Sequence, residues 1–371
     1  MKCIYCQRDA KKSERVGGLC PGCQKPFAFD PTQGQPTDAG FQLALDRVSA
    51  KGTVRFTADN LFFELARTKI GRRQAGCGLL FFFLALMPVP FVLGPWPFLG
   101  GTVVFLGLLF YSQRPKSVVQ LSPTDANLWL GLWQGAHGRP PGLIEPRALL
   151  PAPESLDAMR AELEQYSFDR AVICDRRDTV DLLLANNFHF ENNCAVLSVD
   201  GYPQSVSDIV LRMLKNNPKL HIFALHDATM AGCALAYKLA HDPAWFAGQG
   251  PIFDVGLRPA HAQASAFKGL WQEAHPSVRS DPRPLGMSDE EYAWLRRYRL
   301  SLAAVRPEQV IKRLFRAINE RKTDSTALVS GERKADSTAL VVTDGAPVSH
   351  VDTIIFSSDA TTSDGGGDSF G

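Results

Sequence analysis

Arg170-Ala171-Val172-Ile173-Cys174-Asp175-Arg176-Arg177-Asp178-Thr179 is the stretch on which the fold turns. Its first half is a short apolar run, the pattern of a strand buried on both faces. It then meets an acid, and Asp178 is placed to cap a helix over residues 179–187. The unit recurs downstream. Residues 194–199 read as a second buried strand, followed by a helix over 205–216 that turns Ile209, Val210, Met213 and Leu214 inward. Residues 220–225 form a third strand, followed by a small-residue helix over 228–240, and residues 252–255 form a fourth. A helix over 155–166, capped by Ser155, precedes the series. Alternating units of this kind predict a three-layer α/β domain with a mostly parallel sheet over residues 154–270.

Ligands of such sheets sit beyond the carboxyl ends of the strands. Those ends carry Asp175, Asp200-Gly201, His226-Asp227 and Asp254. Converging carboxylates suit Mg²⁺, which takes oxygen ligands and keeps several waters. The candidate Mg²⁺ ligands are therefore Asp175, Asp200, Asp227 and Asp254, and the candidate catalytic groups are Asp175, Asp227 and His226, the last as general base. The same acids also serve as helix caps and ion-pair partners, and Asp175 is followed directly by Arg176 and Arg177. Cys174 and Cys194 lie in strands and read as small core residues. His189, between two phenylalanines, reads as packing.

The order strand–acid, strand–Gly201-Tyr202-Pro203, then strand–Asp227-Ala228-Thr229-Met230-Ala231-Gly232 resembles the Toprim domain of topoisomerase VI A subunits, over about residues 168–258. In that family the first strand ends in Glu and a later one in Asp-x-Asp, which bind Mg²⁺. The resemblance implies a Toprim-like fold with Asp175 at the Glu position and Asp227 at the first Asp. Thr229 stands where the second Asp belongs. Around Asn60-Leu61-Phe62-Phe63-Glu64 a phenylalanine stands where the family's catalytic tyrosine would be needed.

At the N-terminus, Cys3-Ile4-Tyr5-Cys6 and Cys20-Pro21-Gly22-Cys23 are two CxxC knuckles. Four thiolates from two tight turns match tetrahedral zinc, so residues 1–26 read as a zinc ribbon with a closed, structural site at Cys3, Cys6, Cys20 and Cys23. Residues 27–73 read as a linker and small helical segment. There, Phe41 to Val48 looks helical and Thr57 caps a helix over 61–67, with Leu61, Phe62 and Leu65 facing Phe41 and Leu45.

Residues 74–113 contain no Asp, Glu, Lys or Arg. A single helix of that length would be about 60 Å long, twice the hydrocarbon core, and prolines at 88, 90, 95 and 97 interrupt it. A transmembrane hairpin of two short spans is expected. Arg67, Lys69, Arg72 and Arg73 on one side and Arg114 and Lys116 on the other place both termini in the cytoplasm, as in a multi-pass protein of the cytoplasmic membrane. Residues 114–153, with Trp129, Trp133 and His137, read as an irregular juxtamembrane connector with a little helix.

Residues 271–322 form a basic helical extension, with helices over 288–305 and 307–322. Ser288 and Glu291 form a capping box and Pro307 takes the first turn. Arg296, Arg297, Arg299, Lys312, Arg313 and Arg316 are candidates for binding an anionic lipid or polyanion, or an ordinary solvated face. From 323 to 371 the composition is that of a disordered tail, with Asp-Ser-Thr-Ala-Leu-Val at 324–329 and again at 336–341. The formal charge of +2, from 40 basic and 38 acidic residues, argues against a chain built wholly around a polyanion. Eight cysteines, four of them scattered, fit a reducing compartment, and no secretory signal is read at Met1.

The architecture expected is thus multidomain: zinc ribbon, transmembrane hairpin, α/β domain, disordered tail. The expected function is a membrane-anchored scaffold or regulatory protein that recruits protein partners through the ribbon or tail. The alternatives are a Mg²⁺-dependent phosphodiester or phosphoryl-transfer enzyme at the acidic edge, and a membrane-tethered nucleic-acid binder.

Overall fold

The computed structural model describes residues 1–68, 118–145, 168–203, 207–217, 220–247 and 251–330. Its centre is a sheet of β1 (Arg170–Cys174), β2 (Cys194–Ser198), β3 (His221–Leu225) and β4 (Ile252–Asp254). All pairings are parallel and the order is β2-β1-β3-β4. Successive side chains point to opposite faces, so both faces must be apolar. Ala171, Ile173, Ala195, Leu197, Ile222 and Ala224 enter one core, with Val210 and Leu214 of the helix Ser207–Lys215 and Leu235 and Leu239 of the helix Leu235–His241. Val172, Cys174, Val196, Phe223, Leu225 and Phe253 enter the other.

That second core is continuous with the N-terminal segments. The helix Asp38–Val48, capped by Thr37, contributes Phe41, Ala44, Leu45 and Val48. A helix over 58–68 contributes Leu61, Phe62 and Leu65, and the Thr57 hydroxyl accepts from Asn60 N–H. Within the connector, expected to carry only a little helix, the chain forms a full helix (Pro123–His137). Ser122 caps the helix, Pro123 fills the first turn, and Ala126, Trp129 and Trp133 form its buried stripe. Phe29, in the stretch expected as linker, is buried against Phe41 and Trp133 at centroid separations of 5.1 and 6.2 Å. Aromatic pairs at such distances contribute about 0.5–1.5 kcal/mol each beyond the area they bury.

The C-terminal extension differs from a plain pair of helices. Helix Asp289–Leu295 keeps the Ser288/Glu291 capping box. The chain then leaves the helix, and Tyr298–Arg299 pairs antiparallel with Gln272–Glu273. Leu300 bridges Ala228, and Leu302–Ala304 is a 3₁₀ turn. Backbone pairing to two distant segments outweighs the helical periodicity of residues 296–305. Helix Pro307–Ser330 follows, burying Val310, Leu314 and Ile318. The first Asp-Ser-Thr-Ala-Leu-Val copy falls at its end, and the second lies outside the described residues, as do the helix over 155–166 and the tail from 331.

The expected transmembrane hairpin, and with it the multi-pass location in the cytoplasmic membrane, is corrected here. Among the described residues no helix is long and apolar enough to cross a membrane. Residues 74–113 themselves lie outside the described residues. What stands is a parallel four-stranded α/β sheet, its flanking helices and a cysteine cluster near the N-terminus.

Candidate metal centre and acidic strand edge

The two knuckles bring their thiols together as their spacing requires. The sulfurs of Cys3, Cys6, Cys20 and Cys23 all lie within 4.8 Å of one another. Cys3 Sγ and Cys23 Sγ are 3.7 Å apart, and Cys6 Sγ and Cys20 Sγ 3.5 Å. A tetrahedron with metal–sulfur bonds of 2.3 Å has edges of about 3.8 Å, so the four thiols fit a metal such as zinc. The Gly22 N–H, 3.4 Å from Cys20 Sγ, helps to draw that thiol down to about 6, towards the thiolate a metal needs. Four protein ligands would close the coordination sphere and leave no position for a substrate water.

The ribbon is mounted on the body through a polar relay. Tyr5 Oη lies 3.1 Å from His137 Nδ1, and His137 Nε2 lies 2.9 Å from Asp38 Oδ2. Asp38, fully buried, also accepts from Ala28 N–H and Phe29 N–H at 3.0 and 3.3 Å. A buried carboxylate with three donors is fully satisfied. His137, expected as part of a connector, is thus a joint between ribbon and body. Sequence reasoning missed it because its partners lie 99 and 132 residues away.

At the strand edge, β1 and β3 are neighbours, so Asp175 and Asp227 meet. Asp175 Oδ2 accepts from Asp227 N–H at 2.9 Å, while Asp175 Oδ1 is buried without a partner. Gly232 allows the next helix to close over them: a Cβ there would fall 2.4 Å from Asp227 O and 2.9 Å from Asp175 Oδ2. Burial, reinforced by the charge of Asp227, pushes the Asp175 carboxyl up to about 7. Burial likewise raises Asp227, although its donors oppose the shift.

The donors around Asp227 come from this chain. Oδ1 accepts from Leu302 N–H at 2.6 Å and from the Ser301 hydroxyl at 3.3 Å. Oδ2 accepts from Arg176 Nη1 at 3.4 Å. The same guanidinium reaches Asp178 at 2.9 Å and Asp59 at 3.2 Å. Arg176 therefore occupies the centre of the carboxylates as their cation.

Asp254 belongs to a separate buried network. Arg258 donates to its Oδ2 from both Nε and Nη2, and His226 Nε2 donates to its Oδ1 at 2.9 Å. His226 Nδ1 donates to the Asp227 carbonyl at 2.8 Å. Both partners of the ring can only accept, so both ring nitrogens carry hydrogen and His226 is an imidazolium. Burial alone would lower its pKa, but Asp254 and the two hydrogen bonds raise it above 6.5. Asp254 is held well below the usual carboxylate range against its burial, by His226 first and then Arg258. Both ring nitrogens are committed, which leaves His226 no lone pair to act as a base.

Asp200 stands apart on the outer strand β2, half-exposed, with Arg177 and the Ser198 hydroxyl as partners. Tyr202 donates to buried Asp181 at 2.7 Å. The four acids therefore divide into a pair, a separate ion-pair network and an outlier. Among the described residues the four thiols are the one group of three or more His, Cys, Asp or Glu ligands suited to a metal. Asp175, Asp200, Asp227 and Asp254 are not gathered into such a group. Of the basic residues, Arg296, Arg297 and Arg299 are exposed on the turn and short strand. Lys312 pairs with Glu308, and Arg313 points inward to the Val255 carbonyl at 3.2 Å. They do not share one helical face.

These shifts set a pH dependence. His226 has a raised folded pKa, so its contribution is complete below about 6.5 and fades as pH rises through the folded value. Asp175, raised to about 7, is protonated in the fold, and the unfolded chain gains by ionising it between about 3.8 and 7. Both signs agree: the Asp175 contribution fades up to about pH 7 and that of His226 above about 6.5. Denaturation midpoints are therefore expected to fall from pH 6 to pH 9, mainly through His226. A flat profile in urea titrations across that range would contradict the His226 assignment.

Comparison with family models, with curated proteins and with solved structures returns no match to this chain.

Proposed function

We propose that this protein is a non-enzymatic scaffold or regulatory protein, in which a structural zinc ribbon is mounted on an α/β body as a platform for partners. The observation that carries the reading is the state of Asp227. Both of its oxygens are taken by donors of the chain itself: Leu302 N–H, the Ser301 hydroxyl and Arg176. An acidic edge that served a substrate-bound metal would keep oxygens open to it. Here the edge works as a clasp that holds residues 300–302 and Arg176 against the sheet. The second support is the Tyr5–His137–Asp38 relay, which fixes the ribbon to the body as a presented surface.

A second reading is favoured by one observation. Asp175 Oδ1 is buried with no partner, beside Asp227, at the adjacent strand ends where the Toprim resemblance would put its acids. On that reading the fold is Toprim-like and the pair is the remnant of a phosphodiester-cleaving site. Thr229, which caps the next helix through Gly232 N–H, replaces the remaining acid.

Calorimetric titration of the full-length, zinc-loaded chain with Mg²⁺ and Mn²⁺, beside Asp227→Asn, separates the two. The platform reading expects no saturable binding in either protein at millimolar ion. One equivalent bound by the parent and lost in Asp227→Asn would overturn it in favour of metal-dependent phosphoryl chemistry. Asparagine keeps the acceptor for Leu302 N–H but turns its amide towards Arg176, so the comparison is made on variant protein shown by circular dichroism and its denaturation midpoint to be folded.

A further inference from the structure

Each knuckle hides its first sulfur and shows its second. Cys3 is 3% exposed and Cys20 0%, whereas Cys23 is half-buried and Cys6 is exposed. The turns account for the difference. Cys3 N–H donates to Arg8 O at 2.9 Å and Gln7 N–H to Cys3 O at 3.1 Å, which ties the first cysteine into the loop. Cys20 repeats the pattern with Lys25 O and Gln24 N–H, both at 2.9 Å. Cys6 lies within the turn itself, and Gly22 faces it without a side chain. A Cβ at residue 22 would fall 3.3 Å from Cys6 Sγ, so glycine keeps that flank of the sulfur clear. Among the described residues Cys6 is the one exposed cysteine.

Behind the exposed sulfur stands a buried one. Cys20 Sγ, on the other knuckle, is 3.5 Å from Cys6 Sγ, close enough to bond after a small shift of the two turns. A thiolate is both metal ligand and nucleophile, so the form that holds zinc is also the form an oxidant attacks. We propose that Cys6 is an oxidation site for hydroperoxide and that Cys20 resolves it. The Cys6 thiolate attacks one peroxide oxygen, the O–O bond breaks, a sulfenic acid forms and hydroxide leaves. The Cys20 thiolate then attacks Cys6 Sγ, the S–O bond breaks, a disulfide forms and a second hydroxide leaves. The two thiolates lose two electrons in all, and the peroxide gains them. The metal keeps two sulfur ligands of four and dissociates. Tyr5, next to Cys6 in the chain, then loses its fixed place against His137. Cys3 and Cys23, 3.7 Å apart, pair only afterwards, and buried Cys174, Cys194 and Cys233 stay reduced. The inference rests on the zinc-ribbon platform and adds a condition to it: the platform stands only while Cys6 is reduced.

Zinc is measured first on the reduced full-length chain. A chain that holds none removes the ribbon reading and this inference together. With one equivalent bound, hydrogen peroxide is added with a weak chromogenic zinc indicator, in the presence or absence of a sulfenic-acid trap. Oxidised thiols are then mapped by mass spectrometry. The expected result is a first trapped adduct at Cys6 and, without the trap, a Cys6–Cys20 bridge. One equivalent of zinc should appear with each bridge, about tenfold faster than oxidation at Cys174, Cys194 or Cys233. A first adduct at Cys3, Cys20 or Cys23 would overturn the proposal. So would a first bridge within one knuckle or between two copies, or zinc retained while the buried thiols of the body are oxidised. Those failures leave the platform reading standing, because the reduced ribbon would still hold its metal.

Discussion

Asp254→Asn is expected to destabilise the protein by about 3–5 kcal/mol, the usual cost of removing one member of a buried, hydrogen-bonded ion cluster. The Asp254 side chain is 3% exposed and that of His226 is 0%, so water cannot replace the lost charge. In the variant, His226 and Arg258 face each other across a neutral amide. Glu291, 3.2 Å from Arg258 Nη1, still pairs with the guanidinium. An asparagine also turns its amide towards groups that donated to the carboxylate: Arg258 on one side, or His226 and the Gly256 N–H on the other. His226 must then lose its Nε2 proton and accept from the asparagine amide, so the ring keeps a hydrogen bond at each nitrogen but both charges that held the cluster together are gone. The ring cannot swing aside on that flank, because Gly256 lies against it so closely that a Cβ would fall 2.3 Å from the imidazole. With typical domain stabilities of about 5–15 kcal/mol, the variant sits near the edge of folding at 25 °C. Urea denaturation with the slope held constant measures the effect. A loss under about 1 kcal/mol would mean that the network is neutral, and the imidazolium assignment would fall with it.

The sheet was legible in the sequence for a physical reason. A parallel strand covered on both faces has to be apolar throughout, and runs such as Ala171-Val172-Ile173-Cys174 and Ile222-Phe223-Ala224-Leu225 admit few other readings. Their observed bounds differ from those expected by a residue or two, as at Cys194–Ser198. The knuckles were legible because thiol spacing alone fixes a tetrahedral set. What was not legible depends on contacts far apart in the chain. The periodicity around Tyr298 is helical, yet Leu300 pairs with Ala228, and Leu302 N–H reaches Asp227 across 75 residues. That one hydrogen bond ties Asp227 Oδ1 to a segment that the sequence places in a helix. The acids looked alike as strand ends but differ in strand order. Asp175 and Asp227 sit on neighbouring strands, Asp200 on the outer one, and Asp254 beyond β3 within reach of Arg258. The helix Pro123–His137 had a visible start in Ser122-Pro123 and a visible stripe at Ala126, Trp129 and Trp133. Its glycines at 131 and 135 weakened the helical signal, and both lie where an added Cβ would meet nothing.

Removal of the metal is expected to have the other large effect, confined to one end of the chain. Among residues 1–26 the buried apolar side chains are Cys3, Ala10 and Cys20. A segment that small has no core of its own, so a metal held by the four thiols would supply its fold. Treatment with a strong chelator, or Cys20→Ser, should therefore abolish amide protection over residues 1–27 and release one equivalent of metal per chain. The body should survive, because the packing of Phe29, Phe41 and Trp133 does not pass through the ribbon. His137 loses its contact with Tyr5 but keeps Asp38, which also retains its bonds to Ala28 and Phe29. Exchange and limited proteolysis should show a digestible N-terminus attached to a body whose denaturation midpoint falls only slightly. Cooperative unfolding of the whole chain on chelation would instead mean that the Tyr5–His137–Asp38 relay transmits stability from ribbon to sheet, and that the ribbon is a structural part of the body. Protection of residues 1–27 that withstands complete loss of metal would remove the closed four-thiol site from the account, since nothing else in the segment supplies a core.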